Sequence, residues 1–581
     1  MTTPTALPLT EALPAWASEM RDLFKSGSVS QFILHGNIFD EVPGENGQLH
    51  GLKSFLDAVM FASYDVILHY DRGKGIRVAR GGEDWSRWLE DTFPGDAMKY
   101  ATMREPAPAL ELIDRYLLRS LNLAAIKQDR AAPRRIAVIL DFAEFIVPRG
   151  SGQAVSDQFA ANIVKVLSWA NEPSIRQSNI ATVLLTEGLH DLNELVVENP
   201  HVAKLHIPLP DEAQMNRYVQ LLTASQFPEL PQKCEVTLDV LARRLTGLSR
   251  VGARTAIALA IRNDRTITSA WLTKIKKDMI ERECQGLLEF MESPFTLDNV
   301  AGHEPVKAWL REDAKLLRKG VLNALPMGYL ITGRIGTGKT FIVSCWAGEL
   351  GIPCVVLKNF RDRWVGATES NLEKIFAVLR ALGQVVVFVD EADQMTGKRG
   401  GDSGDSGLSG RIYAALAAAM SDTRNRGRII WVFATSRPDL LEVDLKRQGR
   451  LDIHIPLFPP QTPAEMRELL IAVARKLKFP LKDTDLPDFP PNLVLGGNEI
   501  EGVLVRALRV YELADEPRPA LRDLLAKVLA EVRPSPHTRK LEYMDLIAVK
   551  ECTDARFLPP RYQTMTPEEI ESRLAELKAF V

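Results

Sequence analysis

The sequence predicts an α/β protein with parallel sheets and appended helical regions, in an order that occurs twice along the chain. Short runs of β-branched residues alternate with helical patterns, which is typical of parallel sheets with crossover helices. After each α/β region, apolar residues recur at helical spacing. The chain has 581 residues, too many for one hydrophobic core, so roughly two to four domains are expected.

The two α/β regions form a weak internal duplication with a repeat of about 270 residues, the size of a domain. The helical stretch 211–290 follows the first region, and the segment 293–302 breaks its pattern and is interpreted as a linker. The predicted strands of the first region are 32–36, 65–70, 135–141 and 181–187, with a helix at 109–121. Those of the second are 328–333, 353–358, 384–393, 428–436 and 451–458, followed by a helix at 463–477.

Composition and charge narrow the function classes. The net charge is −3, from 72 basic and 75 acidic residues, which gives no bulk basic field for nucleic acid or an acidic membrane. The five cysteines show neither a CxxC pair nor metal-site spacing, which indicates free thiols in a reducing compartment. The N-terminus lacks the basic start of a signal peptide, and no apolar run reaches the roughly 18 residues that cross a bilayer. We therefore expect a cytoplasmic protein without a membrane segment.

A phosphate-binding motif lies in the second half, where residues 333–340 read GRIGTGKT and match GxxxxGK[ST] in full. It follows an apolar strand and opens a helix, so its backbone N–H groups can wrap around phosphate oxygens. Lys339 would supply an ammonium for the β- and γ-phosphates of ATP, and Thr340 a hydroxyl ligand for Mg²⁺. The predicted cofactor-binding residues here are Gly333, Arg334, Ile335, Gly336, Thr337, Gly338, Lys339, Thr340 and Phe341.

Two carboxylates, Asp390 and Glu391, end a continuous apolar run in the segment 384–393. Such a run is typical of a strand buried on both faces, and α/β sheets bind ligands at the C-terminal ends of their strands. Asp390 is predicted to take part in Mg²⁺ binding, and Glu391 to polarise the attacking water. Together with the phosphate-binding motif, the pair predicts one ATP-hydrolysing site on a P-loop NTPase fold.

From about Phe295 to Leu513, the chain resembles the AAA+ ATPases, in the group with a second region of homology that includes FtsH-type proteases, katanin and spastin. The segment 434–452, ATSRPDLLEVDLKRQGRLD, is very similar to that group's ATNRPDxLDxALxRxGRxD. The resemblance places Arg447 and Arg450 at two arginine-finger positions. It therefore implies a homo-oligomeric ring, usually a hexamer, in which an arginine reaches the γ-phosphate held by the neighbouring subunit.

Further matches assign other roles by resemblance. Ser436 stands at the family's sensor asparagine, so slower hydrolysis or delegation to Thr435 is expected. The segment 360–376 resembles a pore loop and its following helix, and 396–410 falls at a second pore loop, with a plain linker as the alternative. The residues that would pass the adenine are Val300, Ala301 and Gly302, with Gly497 in the lid. The residues that would line the channel and grip substrate are Arg363, Trp364 and Val365.

The first half resembles the same module in a degenerate form. Residues 135–145 stand where the Asp390 strand does, but no GxxxxGK[ST] lies between Gln31 and Gly75. The segment HGNIFD at 35–40 takes the strand-to-helix position without a lysine, and Lys74 lies on the wrong element. Asp141 and His35 are expected to make local hydrogen bonds. We predict an arm at 1–24, a degenerate AAA+-like α/β domain at 25–210, a lid-like helical domain at 211–292, an ATPase domain at 293–460 and a helical lid with a tail at 461–581.

The leading hypothesis is an ATP-driven ring that remodels, unfolds or disassembles a protein substrate or assembly. Two alternatives stay open: an ATP-switched scaffold or assembly chaperone, and a nucleic-acid-dependent ATPase. The letters DEAD at 390–393 suggest a helicase, but the arginine and pore-loop patterns do not resemble DEAD-box enzymes. No HExxH motif is present, so any proteolysis requires a partner.

Trp364→Ala is expected to leave ATP hydrolysis largely intact and to abolish remodelling, because a pore-loop side chain grips substrate away from the phosphates. Phosphate release and unfolding of a fluorescent protein substrate measure the two activities on the same preparation, with Trp364→Phe as an aromatic control. Equal loss of both activities would place Trp364 in the core. Intact remodelling would favour the assembly-switch alternative.

Overall fold

The computed structural model describes residues 13–44, 48–126, 135–150, 157–284, 286–358, 368–395, 406–489, 495–515, 518–532 and 537–580. The chain divides into two compact units. The first contains Met1–Lys276 and Glu369–Ala377, and the second contains Lys277–Thr368 and Val378–Val581. Each unit has its own largely parallel sheet.

The strands of the first unit are β1 Gln31–Gly36, β2 Glu41–Pro43, β3 Leu49–Gly51, β4 Val66–Asp71, β5 Gly75–Arg80, β6 Ile136–Leu140, β7 Ile180–Thr186 and β8 Val202–Ile207. Six of them form a sheet in the order β5–β4–β6–β7–β1–β8, while β2 and β3 form a separate hairpin. Neighbours in the sheet are parallel except β4 and β5. Alternate residues of β6 enter two different cores, as expected for a strand covered on both faces.

The helices that precede the second sheet are α1 Ala15–Lys25, α2 Leu52–Phe55, α3 Gly82–Thr92, α4 Ala97–Ala101, α5 Pro106–Ile126, α6 Asp157–Asn171, α7 Pro173–Arg176, α8 Glu194–Val197, α9 Glu212–Ser225, α10 Leu230–Lys233, α11 Leu238–Leu245, α12 Arg250–Arg262 and α13 Ser269–Glu283. Helices α9 to α13 make up the helical stretch predicted after the first α/β region. Asp211 caps α9 with a capping box, in which its side chain accepts the Gln214 amide.

The strands of the second unit are β9 Leu288–Phe290, β10 Gly328–Thr332, β11 Cys354–Leu357, β12 Val385–Val389, β13 Ile429–Thr435 and β14 Ile453–Pro456. Their order is β14–β10–β13–β12–β11–β9, and only β9 is antiparallel to its neighbour. Counted along the chain, the parallel strands of both sheets follow the same spatial order, 2-3-4-1-5. The predicted α/β class with parallel sheets and its internal duplication are therefore confirmed.

The remaining helices are α14 Glu304–Arg318, α15 Lys339–Leu350, α16 Thr368–Leu382, α17 Ala392–Met395, α18 Ser406–Ser421, α19 Pro463–Lys476, α20 Gly497–Leu513, α21 Leu521–Glu531, α22 Thr538–Glu551, α23 Pro560–Gln563 and α24 Pro567–Leu577. The C-terminal helices form two separate cores. One joins α19, α20 and α21, as expected for a lid. The other joins α22 and α24 to Phe458, so the predicted tail packs against the segment that follows β14.

Two local predictions are wrong. The helical pattern predicted to 290 ends at Glu283, and residues 288–290 instead form β9, which pairs with β11. The predicted linker at 293–302 is not a free connection, because Leu297 and Val300 are buried in the core of the second unit. In both places, edge pairing and burial override the local sequence pattern. The domain boundaries themselves stay predictions.

In the described ranges, no helix has the length and apolar character that a membrane span requires. None of the five cysteines, all of which lie in these ranges, forms a disulfide. The described residues also contain no cluster of three His, Cys, Asp or Glu side chains able to hold a metal ion.

Candidate active site

The phosphate-binding turn connects β10 to α15, as the motif predicts. Gly333, Gly336 and Gly338 have positive φ angles of 139°, 86° and 82°. A Cβ at Gly333 would overlap the carbonyl oxygen of Leu457, so this position accepts no side chain. The turn therefore brings bare backbone and the N-terminus of a 12-residue helix to one point. That arrangement suits phosphate oxygens.

Lys339 lies at the start of α15 and points back into the turn. Its Nζ donates to the carbonyl oxygens of Gly333 at 2.8 Å and of Arg334 at 3.1 Å. Desolvation in the turn lowers the pKa of the Lys339 ammonium to about 8, although nearby carboxylates oppose that shift. An ammonium with these two neutral acceptors is well placed to exchange them for the charged oxygens of a triphosphate.

Thr340 and Asp390 meet at the C-terminal edge of the sheet. The Thr340 hydroxyl donates to the Asp390 carboxylate at 2.7 Å, which joins the start of α15 to the end of β12. Both groups offer the oxygen ligands that Mg²⁺ prefers, and a hydrated ion needs few protein ligands. The two residues predicted to bind Mg²⁺ are therefore brought together.

Glu391 leaves the strand in an unusual backbone conformation. Its φ is 48°, in the left-handed region that only a few per cent of non-glycine residues adopt, and its amide donates to Asp390 at 2.9 Å. The side chain is exposed, and its carboxylate accepts a hydrogen bond from Gln394 at 2.6 Å. The sequence did not single out Gln394, which lies one helical turn further on and orients the predicted base.

At the end of β13, the structure distinguishes the two candidate sensor hydroxyls. Thr435 is buried and donates its only hydroxyl proton to Asp393 at 2.5 Å, while its oxygen accepts the amide of Arg437 at 2.9 Å. Thr435 therefore has no proton left to orient a water molecule. Ser436, the predicted sensor, is half-buried in the next position.

The two predicted arginine fingers differ in exposure. The Arg447 side chain is 63% exposed, and its Nε lies 3.2 Å from the Asp444 carboxylate. The Arg450 side chain is only 9% exposed and bonds both the carbonyl oxygen, at 2.8 Å, and the carboxylate of Asp444. Arg447 is thus the one of the pair that is presented to solvent, whereas Arg450 holds the segment together.

The residues predicted to pass the adenine link the core to the lid. Val300 is buried and its carbonyl accepts Lys307 Nζ at 2.9 Å, while the Gly302 amide donates to Glu468 of α19 at 3.3 Å. Gly497, the first residue of α20, donates its amide to the carbonyl of Gly336 at 2.8 Å. The lid therefore docks directly on the phosphate-binding turn. The pore-loop residues Arg363, Trp364 and Val365, and 396–405 of the second loop, lie outside the described residues.

The first unit has an ion pair in the place of the Thr340–Asp390 contact. In each unit, the carboxylate that accepts this bond belongs to the first residue after the third parallel strand. This residue is Asp141, after β6, in the first unit and Asp390, after β12, in the second. The donor is the second residue of the first helix after the first parallel strand, Lys53 or Thr340. The ammonium of Lys53 pairs with Asp141, whose side chain is 3% exposed. Asp141 is therefore hydrogen-bonded, as predicted, although its partner lies 88 residues earlier in the chain, and a cation of the chain itself occupies the position corresponding to the predicted Mg²⁺ site.

Sequence reasoning missed Lys53 because the hairpin β2–β3 separates it from β1. HGNIFD at 35–40 is consequently not followed directly by a helix, which corrects the predicted strand-to-helix position. Lys74 lies in the turn between β4 and β5, where its amide bonds Asp71, and has no part in this arrangement. His35 packs beside the His206 ring, and burial lowers its pKa to about 4.

Comparison with known proteins identifies the family. Residues 4–208 match the family described as AAA+ chaperone, N-terminal Rossmann-like domain, and residues 216–285 match AAA+ chaperone, second helical domain. Residues 329–458, which contain the phosphate-binding turn and both carboxylates, match the ATPase family associated with various cellular activities (AAA). The chain belongs to the AAA+ ATPases.

This AAA+ ATPase is 26% identical to the peroxisomal ATPase PEX6 of Rattus norvegicus over 64% of the chain and 42% of that relative. It is 34% identical to the ATP-dependent zinc metalloprotease FtsH 2 of Symbiobacterium thermophilum over 32% of the chain and 33% of the relative. It is also 32% identical to the cell division cycle protein 48 homolog of Archaeoglobus fulgidus, over 27% of the chain and 21% of that relative. The chain spans less than half the length of each of these relatives.

These matches confirm the AAA+ fold class and the predicted enzyme class, an ATPase. They also agree with the predicted tandem architecture, because the two chaperone-type matches precede the ATPase match. The roles of individual site residues stay predictions.

Lys339→Ala is expected to abolish nucleotide binding, whereas Glu391→Gln is expected to keep binding and lose turnover. The first variant removes the phosphate-binding cation, and the second removes the base, which slows the chemical step by roughly 10²–10⁴-fold. Titration with a fluorescent nucleotide and phosphate-release kinetics measure the two properties. Near-normal turnover by Glu391→Gln would contradict its assignment as the base.

The first unit is expected to bind no nucleotide, because Lys53 pairs with Asp141 and no phosphate-binding turn follows β1. Calorimetric titration of the Glu391→Gln protein with an ATP analogue and Mg²⁺ should saturate near one nucleotide per chain. The Lys339→Ala/Glu391→Gln protein is the matched control and should bind none. A stoichiometry near two, or residual binding by the control, would show that the first unit holds a second site.

Proposed function

We propose that this AAA+ ATPase is a protein remodeller that assembles into a homo-oligomeric ring, a hexamer by the resemblance, and hydrolyses ATP with Mg²⁺. The observation that carries the proposal is the contrast between the site and the arginine segment. Lys339, Thr340, Asp390 and Glu391 converge in one chain, while Arg447 is exposed on the segment between β13 and β14. An exposed arginine at this position is suited to a phosphate of the neighbouring subunit.

The site residues divide the reaction between them. Lys339 exchanges its carbonyl partners for β- and γ-phosphate oxygens, and the turn around Gly336 presents backbone N–H groups to them. Thr340 and Asp390 would hold Mg²⁺, which would neutralise charge on the phosphates when bound. Glu391, oriented by Gln394, accepts a proton from the attacking water, and Ser436 orients that water.

Protein is the substrate class that the comparisons favour. One relative is named as a metalloprotease, and the N-terminal matches are described as parts of an AAA+ chaperone. The net charge of −3 gives no general attraction to nucleic acid, which counts against the nucleic-acid alternative. ATP binding would tighten contacts of one subunit and hydrolysis would release them, which moves the Trp364 loops in sequence.

An ATP-switched assembly chaperone is the second candidate. It is favoured by the first unit, which matches the chaperone description and in which Lys53 pairs with Asp141. A unit whose site carries its own cation is suited to recruiting a client or supporting the ring, because its fold requires no nucleotide. Loss of remodelling without loss of hydrolysis in Trp364→Ala distinguishes threading from this switch.

Arg447→Ala subunits mixed into wild-type protein are expected to lower ATPase activity more steeply than their fraction, because each disables a neighbour's site. An arginine finger in trans contributes roughly 10³-fold or more to the rate. Arg424→Ala is a suitable control, since Arg424 is 88% exposed and pairs only locally with Asp422. Arg450→Ala is a poorer probe because that side chain is buried against Asp444. A loss strictly proportional to the doped fraction would indicate independent monomers.

A further inference from the structure

Helix α22 is buried on all sides along half of its length. Seven consecutive residues, from Tyr543 to Val549, are buried, although a surface helix normally buries one face only. The helix lies in the second unit and packs on β14 and on the segment that follows β13. Its polar side chains make three separate contacts with parts of the ATPase site.

The first contact reaches the phosphate-binding turn. Asp545 is 3% exposed, and its Oδ2 lies 3.9 Å from Nη1 of Arg334, the second residue of the turn. The other carboxylate oxygen has no hydrogen-bond partner among the described residues. Burial raises the pKa of Asp545 to about 6, although Arg334 and Arg561 oppose that shift. A carboxylate this poorly compensated depends on the position of Arg334.

The second contact reaches the arginine segment. The Glu551 carboxylate, at the last residue of α22, accepts Lys446 Nζ at 2.5 Å, and the Glu551 carbonyl bonds His454 of β14 at 2.8 Å. Lys446 directly precedes Arg447 and also donates to the carbonyl of Pro438 at 3.0 Å. The Lys446 and Glu551 side chains are 11% and 21% exposed, so this pair is shielded from solvent and salt.

The third contact reaches the end of the sensor strand. The Arg437 guanidinium lies 5.4 Å from the centre of the Tyr543 ring and pairs with Asp439. The backbone amide of Arg437 bonds Thr435, which in turn bonds Asp393. Helix α22, with 14 residues and a length of about 21 Å, therefore touches three parts of the site. These are the phosphate-binding turn, the residues that follow β13, and the segment between β13 and β14 that carries Arg447.

We propose that α22 is a positioning helix that couples the phosphate-binding turn, through Asp545 and Arg334, to the arginine segment, through Glu551 and Lys446. Nucleotide in a subunit's own site then sets how that subunit presents Arg447 to its neighbour. The inference rests on the proposed ring. A buried helix moves as one body, so a shift at Arg334 is carried to Lys446.

Glu551→Gln tests the coupling because it removes the charge that holds Lys446 and keeps the shape of the side chain. Its kcat is expected to fall about 5- to 150-fold, the range typical of coupling between sites, while the dissociation constant of an ATP analogue stays within about twofold. Lys446→Gln removes the same pair from the other side and should reproduce the split. Glu571→Gln is the matched control. Glu571 of α24 pairs with Lys550 of α22 on the exposed surface, so this variant should leave kcat unchanged.

Mixing variant and wild-type subunits shows whether the variant lowers activity at its own ATPase site or at its neighbour's. Glu551→Gln subunits doped into wild type should give a loss steeper than their fraction, like Arg447→Ala subunits. A steep Arg447→Ala curve with normal kcat in both Glu551→Gln and Lys446→Gln overturns the coupling and leaves the ring intact. A loss of activity proportional to the fraction of Arg447→Ala subunits overturns both the coupling and the proposed ring. Equal losses of kcat, nucleotide affinity and melting temperature would show that α22 only supports the fold, and would overturn the inference.

Discussion

The contact between Thr340 and Asp390 is the constraint on which the ATPase site depends. It ties the start of α15 to the end of β12 across the intervening strand β13. Because parallel strands end at the same edge of a sheet, the contact brings the phosphate-binding turn next to the predicted base, Glu391. Thr435 joins the same edge through Asp393. Without this meeting point, the phosphate-binding turn would lie apart from the predicted base.

The first unit satisfies the same topological constraint with different chemistry. Its strands have the same order, and Lys53 reaches Asp141 across β7 as Thr340 reaches Asp390 across β13. A carboxylate buried at this edge has to be compensated, since leaving a buried charge unpaired costs about 3–5 kcal/mol. In the second unit, the corresponding Asp390 is only half-buried and bonds a hydroxyl at the predicted Mg²⁺ site, whereas the first unit pairs its buried Asp141 with its own ammonium. The first unit can therefore stay folded without nucleotide.

The sequence alone locates those features of the site that a short local motif determines. The turn before Lys339 and the carboxylates after β12 follow from short motifs, because glycine geometry and strand burial are local properties. Contacts between distant segments were not predictable in this way. Lys53 lies beyond an inserted hairpin, β9 is a three-residue edge strand next to a helical pattern, and Asp545 meets a turn some 200 residues earlier in the chain. The exposure that separates Arg447 from Arg450 depends on Asp444, which no motif marks.

The phosphate-binding turn connects these observations to turnover. The Arg334 carbonyl is held by Lys339, while its guanidinium faces the buried Asp545. When Lys339 turns to phosphate oxygens, that carbonyl loses a charge-assisted partner, and the new bonds to anionic oxygens raise the pKa of the ammonium. Any adjustment of Arg334 then changes the compensation of the Asp545 carboxylate, which the protein interior cannot resolvate. The energy of nucleotide binding thus reaches α22 through one residue of the turn, and reaches Arg447 through Glu551 and Lys446.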